Sequence, residues 1–214
     1  MARLLGGIVA GLAGSAGGWL WWMTNGKLTL DLGWGRSFHE VGPITARIEA
    51  PRSLVFEQIA SPYLGRTPKD ARDRLQVWER GADMVVARHV SKVSFYTAET
   101  VEAVRFEEPE RVVFRHLRGP VPHATEEFVL SEDDDDAEVT HVEYRGELGI
   151  DFWFLGRLAG RYWVVPEWER QVRPHVQQLK EGGESRAAAR RRRGSRESLS
   201  SPAEPPAPAT TDRG

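Results

Sequence analysis

The sequence predicts an α+β domain in which one curved antiparallel sheet wraps around a single long C-terminal helix, preceded by one transmembrane helix. A short helical pattern is followed by a series of strand-like runs that turn residues separate. The apolar period then changes from two to about 3.6 after Gly149. No alternation of strand and helix occurs, which disfavours a parallel sheet.

Length and composition indicate one domain with additions and exclude several classes of site. The chain has 214 residues, more than one ordinary domain requires. Its 29 basic and 31 acidic side chains nearly balance, which argues against nucleic-acid binding by the whole domain. The absence of cysteine excludes disulfides, thiolate metal sites and cysteine nucleophiles.

Residues 1–26 predict a transmembrane helix that anchors the chain in the cell membrane by a single pass. No charge occurs between Arg3 and Lys27, a length sufficient to cross about 30 Å of hydrocarbon. Three tryptophans end the run, where indole rings favour the headgroup interface: Trp19, Trp21 and Trp22. A cleaved signal peptide and a buried soluble helix are the alternatives.

The glycines of this segment and the basic C-terminus predict further contacts. Small residues recur at four-residue spacing and predict a weak homodimer through Gly7, Gly11, Gly14 and Gly18. Residues 182–214 predict a disordered polybasic and proline-rich tail, because large apolar side chains are almost absent there. Arg190–Arg193 would then contact anionic lipids, which favours a cytoplasmic folded domain.

Between these ends, residues 27–43 predict a connector with a short strand over Lys27–Leu32, and residues 44–181 predict the folded domain. The domain begins with a strand, Ile44–Ile48, and a helix over about Arg52–Ala60. Ser61–Pro62 is expected to end that helix.

Six further strands and a long helix complete the prediction. The strands are Leu75–Glu79, Met84–Val90, Phe95–Phe106, Arg111–Leu117, Thr125–Leu130 and Glu138–Ile150. After Gly149, apolar and aromatic residues recur at helical spacing up to Leu179. Pro166 and Pro174 within this stretch predict a kinked or two-part helix.

Two motifs resemble those of a known superfamily. The strand-to-helix join Ile48-Glu-Ala-Pro-Arg-Ser-Leu-Val-Phe56 and the turn Pro109-Glu-Arg-Val-Val-Phe114 are similar to those of the SRPBCC superfamily. That superfamily has the helix-grip fold and includes START domains, birch-pollen-allergen-like proteins and the polyketide cyclase/dehydrase and lipid-transport group. The resemblance covers about residues 44–181. Residues 61–68 and 118–123 look like a subgroup of uncharacterised, membrane-anchored bacterial members.

The resemblance implies an elongated cavity for apolar ligands, and period-2 alternation suggests which polar groups face it. His116 shares a face with Phe114, Tyr144 lies among apolar residues, and Glu126 alternates with Phe128. His116 and Tyr144 are weak acid/base candidates, and paired core residues are the alternative. Tyr63 is expected at the mouth of the cavity. The predicted ligand-binding residues are Tyr63, Phe114, His116, Glu126, Tyr144, Trp153 and Tyr162.

We predict no metal or cofactor, because the six histidines lack zinc spacing and no nucleotide-binding motif occurs. The first functional hypothesis is a membrane-tethered protein that binds a lipid or other hydrophobic small molecule. The second is a cyclase- or dehydratase-type enzyme on a polyketide-like or lipidic substrate. The third is an interaction module without a ligand, and nucleic acid is not an expected partner.

Overall fold

The computed structural model describes residues 29–200 except 66, 68, 94 and 95. Its strands are β1 Ser37–Ile48, β2 Leu75–Arg80, β3 Met84–Val93, β4 Tyr96–Glu107, β5 Arg111–Arg118, β6 His123–Glu132 and β7 Thr140–Ile150. Its helices are α1 Arg52–Leu64, α2 Trp153–Ala159 and α3 Val165–Ser200, with a 3₁₀ turn at Lys69–Ala71 and a π-helical turn at Gly160–Val164.

The seven strands form one antiparallel sheet in the order β1-β7-β6-β5-β4-β3-β2. Strands β2 to β7 follow one another as hairpins, whereas β1 joins the sheet beside β7. Helix α3 packs mainly on β1 and α1. The predicted curved antiparallel sheet with a long C-terminal helix is therefore confirmed.

Strand β1 is longer than the sequence predicts, because it includes part of the predicted connector. It begins at Ser37 and continues through Gly42 and Pro43, where the register with β7 shifts. Gly42 has a φ of 88°, and a Cβ there would lie 2.7 Å from the carbonyl oxygen of Tyr144. A glycine bulge thus lets the strand continue past its proline. Residues 29–32, in the predicted first strand, are not in a strand.

Helix α1 does not end at Ser61–Pro62, which corrects the sequence prediction. It continues to Leu64 with Pro62 inside it, and the Gly65 amide donates to the Ser61 carbonyl. The last turn places the ring of Tyr63 against that of Phe114, with centroids 6.0 Å apart. This packing stabilises a turn that Pro62 alone disfavours.

Helix α3 extends to Ser200, so residues 182–200 are helical where the sequence predicts disorder. Gly182 and Gly183 lie close to α1 and β1, since added Cβ atoms would meet Gln58 at 2.2 Å and Ile48 at 3.0 Å. Ala187 is buried in the core. Contacts at small residues therefore hold a segment that lacks large apolar side chains. Residues 201–214 lie outside the described part.

The C-terminal helical stretch is continuous from Trp153 to Ser200, with one π-helical turn at Gly160–Val164 before Pro166 and with Pro174 inside α3. Within the described residues, no helix has both the length and the apolar character to cross a bilayer. The predicted transmembrane helix and its glycine contacts fall in residues 1–28, outside the described part.

Two apolar clusters flank the middle of the inner face of the sheet. One surrounds α1 and includes Val55 and Phe56. The other joins β1 to the start of α3 and includes Val41 and Val172. Phe128 packs against both clusters. Polar side chains occupy the inner face of the sheet between the two clusters.

Candidate functional site

Five polar or charged side chains form a row across the inner face of five neighbouring strands. They are His89 on β3, Glu102 on β4, His116 on β5, Glu126 on β6 and Tyr144 on β7, and together we call them the polar row. Each alternates with apolar neighbours that face the core. Glu102 lies directly opposite His116 in the register, a position from which side chains interact.

Glu102 bridges the two imidazoles. Its Oε2 lies 2.6 Å from Nδ1 of His89, and its Oε1 lies 3.1 Å from Nε2 of His116. The hydroxyl of Thr100 donates to the same Oε1. Glu102 therefore has the partners that a buried carboxylate requires.

Glu126 joins His116 to the aromatic end of the row. Its Oε1 lies 3.2 Å from His116 Nε2, and its Oε2 accepts a hydrogen bond from the hydroxyl of Tyr144. The indole N–H of Trp168, on α3, donates to that hydroxyl oxygen at 3.1 Å. A continuous hydrogen-bonded chain thus runs from β3 to the C-terminal helix.

Burial and ion pairing act in opposite directions on the pKa values of Glu102 and His116. The side chains of Glu102 and His116 are only 8% and 4% exposed. Burial lowers the pKa of His116, but Glu102 and Glu126 outweigh it and raise that pKa to about 10. Burial raises the pKa of Glu102, but His89 and His116 outweigh it and hold that pKa well below its ordinary value. His116 and Glu102 are therefore an ion pair at neutral pH.

Two imidazole nitrogens of the row have no partner among the described residues. Nδ1 of His116 and Nε2 of His89 are buried and make no hydrogen bond. Because His116 is protonated at neutral pH, its Nδ1–H is a donor without an acceptor. An unpaired buried donor costs about 1–3 kcal/mol, so this atom marks a place where a ligand acceptor would be stabilised.

Aromatic rings surround the histidines. The Tyr63 ring lies 5.7 Å from that of His89, in an edge-to-face arrangement, and the rings of His116 and Trp168 are 5.4 Å apart. Phe114 contacts Tyr63 and Phe128. Burial is the main cause that raises the pKa of Tyr63, so its hydroxyl is neutral. The charged pair is thus enclosed by apolar ring surface.

A cleft of about 580 Å³ opens beside this region. Its lining residues come from the segment after α1 and from β2 and β3: Gly65, Thr67, Arg72, Asp73, Leu75, Gln76, Val77, Arg80 and Arg88. Leu75 pairs with His89 in the sheet register. Gly65 lies two residues beyond Tyr63. The cleft therefore adjoins the Tyr63–His89 contact, where the sequence predicts the mouth of a cavity.

The structure brings five of the predicted site residues together and separates two. Phe114, His116, Glu126, Tyr144 and Tyr63 lie within the polar row or against it. The remaining two, Trp153 and Tyr162, do not line this interior.

These two aromatic residues lie in α2 and the π-helical turn, where their exposed fractions are 63% and 70%. The expectation that they line the cavity is corrected, because Trp153 packs on Gly35 at the surface and two glycines form further contacts of this segment with the domain. Gly156 and Gly160 are buried against Asp151 and His39.

His89 and Glu102 are not among the site residues predicted from the sequence. A usable signal existed, since His89 alternates with Val85 and Ala87, which are buried. Glu102 likewise lies two residues from the buried Val104. No group of three or more His, Asp and Glu side chains in the described part of the chain has the arrangement of a metal site.

No protein-family model matches the sequence, and no curated protein matches it. Among solved structures, the chain is similar to BexL, a di-domain ARO/CYC protein from the BE-7585A biosynthetic pathway, with 13% identity and a TM-score of 0.51. The match covers 72% of this chain, and the chain spans only 50% of BexL.

The chain is also similar to TTHA0849 from Thermus thermophilus, with 20% identity and a TM-score of 0.51. That match covers 71% of this chain and 98% of the other. At this level of identity the likeness concerns the fold. The chain has the helix-grip fold that the sequence resemblance implies.

Proposed function

We propose that the interior of the grip binds a small organic molecule with an apolar body and one neutral hydrogen-bond acceptor, such as a carbonyl oxygen. The observation that supports this is the unpaired and buried Nδ1–H of His116, whose ring lies 5.4 Å from that of Trp168. A ligand carbonyl would satisfy that donor. An apolar body would be stabilised by about 25 cal/mol for each Å² removed from water.

The charge of the polar row favours a neutral acceptor over an anionic one. Two carboxylates, Glu102 and Glu126, already lie within 3.2 Å of the His116 imidazolium. A third negative charge would be repelled by them. The apolar ligand that the sequence predicts is therefore narrowed to one that carries a carbonyl-like group.

Matched probes test the proposal. The probes are 2-acetylnaphthalene and 2-ethylnaphthalene, which have the same ring system and differ in the carbonyl oxygen. Calorimetric titration of the full chain should show tighter binding of the ketone. His116→Gln should remove that preference, and His141→Gln, at an exposed histidine outside the polar row, should keep it. Equal affinity for the two probes, or a preference unchanged by His116→Gln, would contradict the proposal.

A second candidate is acid–base catalysis on such a carbonyl compound. Glu126 lies between a protonated imidazole and the Tyr144 hydroxyl, so a donor for the carbonyl and a carboxylate base are adjacent. The test is exchange of the acetyl protons of 2-acetylnaphthalene in heavy water, followed by NMR. Acceleration that Glu126→Gln abolishes would support catalysis. A rate equal to that in buffer would leave binding as the function.

The predicted location stays a proposal. Attachment to the membrane through residues 1–26, lipid contact through Arg190–Arg193 and a cytoplasmic domain all rest on the sequence patterns. A reporter fused to the C-terminus tests the orientation, since activity of a periplasm-specific reporter would contradict it.

A further inference from the structure

Residues Phe152–Trp163 form a short projection whose large apolar side chains face solvent. It includes Phe152, all of α2 and the π-helical turn up to Trp163, and is called here the apolar projection. Its exposed side chains include Trp153, Phe154, Leu155, Leu158, Tyr162 and Trp163, and Phe154 is 68% exposed. Contiguous exposed apolar surface of this kind marks an interaction site.

Glycines form the side of the projection that contacts the domain. A Cβ on Gly156 would lie 2.0 Å from the carbonyl oxygen of Asp151, and one on Gly160 would lie 2.2 Å from His39 Nε2. A surface helix ordinarily turns its large apolar residues inward. Here Gly156 and Gly160 face the protein. The ring of Trp153 packs on Gly35, where an added Cβ would meet it at 2.3 Å, but 63% of Trp153 stays exposed. Phe154, Tyr162 and Trp163 are more than half exposed, so packing within the domain does not account for most of their surface.

The charge of the projection is purely basic. Residues 152–164 contain Arg157 and Arg161 and no acidic residue. Both arginines are exposed, and the guanidinium of Arg161 lies 5.6 Å from the ring centroid of Tyr162. Tryptophan and tyrosine favour the membrane–water interface, and arginine favours anionic headgroups. The aromatic side chains and the two arginines are thus complementary to the interface of an anionic bilayer.

The preceding part of the chain is held beside the projection. The amide of Phe152 donates to the Trp34 carbonyl at 2.7 Å, and the amide of Trp153 donates to the Gly35 carbonyl at 2.9 Å. Trp34 is itself exposed. The described segment before β1 is therefore fixed against the start of the projection.

We propose that the apolar projection docks at the interface of an anionic phospholipid bilayer. The rings of Trp153 and Phe154 lie at headgroup depth, and Arg157 and Arg161 contact lipid phosphates. The projection contacts β1, and β2 with its cleft lies at the opposite edge of the sheet. In this orientation the cleft is therefore directed away from the edge that docks. The proposal is independent of whether the polar row binds a ligand.

Spin labelling tests the contact directly, because the chain has no cysteine. The full chain carrying Phe154→Cys is labelled with a nitroxide and reconstituted in vesicles of phosphatidylcholine and phosphatidylglycerol. Asp135→Cys is the matched control, in the exposed turn before β7 and so at the opposite end of that strand from the projection. The measured quantity is the relaxation of the nitroxide by oxygen, which concentrates in the bilayer. It is compared with the relaxation of the same nitroxide by a water-soluble nickel complex.

The label at 154 should be relaxed more by oxygen than by nickel, and the label at 135 should show the reverse. Arg157→Glu combined with Arg161→Glu should lower the oxygen preference at 154. Equal access to nickel at both positions would overturn the proposal. A label at 154 shielded from both reagents would show that residues 1–28 cover the projection, and spin–spin broadening would show a second copy. Each of these outcomes also overturns it, and Leu158→Cys repeats the test at a second position.

Discussion

Replacing Glu102 by glutamine should lower the pKa of His116 and change how the stability of the protein depends on pH. Glu102 is the larger of the two carboxylate contributions that raise this pKa from 6.5 to about 10. At about 1.4 kcal/mol per pKa unit, the full shift corresponds to about 5 kcal/mol. Because Glu126 remains, we expect the variant to lose only part of this stabilisation, about 2–4 kcal/mol.

The sign of the effect follows from the raised pKa. A histidine whose pKa is higher in the folded protein contributes its full stability below the unfolded pKa, and this contribution disappears as the pH rises through the folded value. For His116 the window runs from pH 6.5 to about 10. The difference in unfolding free energy between wild type and Glu102→Gln should therefore be larger at pH 6.5 than at pH 10.

Urea unfolding at these two pH values measures the difference, and NMR titration of the His116 ring measures the pKa. Glu99→Gln is the control, since Glu99 is also on β4 but pairs with an arginine, Arg88, and not with a histidine. A difference equal at pH 6.5 and pH 10, or a wild-type His116 that titrates near 6.5, would refute the reasoning.

Two further predictions concern the hydrogen-bond chain and the projection. Tyr144→Phe should lower the unfolding free energy by about 1–3 kcal/mol, because the partly buried Glu126 loses a donor; unchanged urea unfolding would contradict this. Gly160→Ala should destabilise by about 1–3 kcal/mol, since its methyl group would overlap His39. Gly194→Ala is the control, because no atom lies within 4 Å of an added Cβ there, and it should stabilise helix α3 by up to about 1 kcal/mol. Thermal unfolding measures both variants; a midpoint temperature that changes in the same direction in both would show that the contact at Gly160 is unimportant.

Strand alternation was the most informative pattern in the sequence. In β5, β6 and β7 it correctly predicted that His116, Glu126 and Tyr144 face inward, because a period of two leaves only one face for the apolar residues. In β3 and β4 the same alternation places His89 and Glu102 two residues from the buried Ala87 and Val104. These two polar residues, which are not among the predicted site residues, occupy positions equivalent to those of His116, Glu126 and Tyr144.

The other differences arise from tertiary contacts that a local pattern does not contain. The helical repeat of Trp153 and Tyr162 is the same whether their side chains are buried or exposed, and the glycine contacts of α2 decide which. The extra turn of α1 past Pro62 depends on packing of Tyr63 against distant strands. The helical segment after Gly182 depends on close approach to Gln58.

The central claim is that the unpaired Nδ1–H of His116 donates a hydrogen bond to an acceptor atom of a ligand. The most direct measurement is the ¹⁵N chemical shift of that nitrogen as 2-acetylnaphthalene is added to the full chain, with the signal assigned by its absence in His116→Gln. We predict a saturable change at His116 Nδ1 and none at His141. An unchanged His116 signal, with shifts confined to Trp153–Tyr162, would place the probe on the apolar projection and contradict the claim.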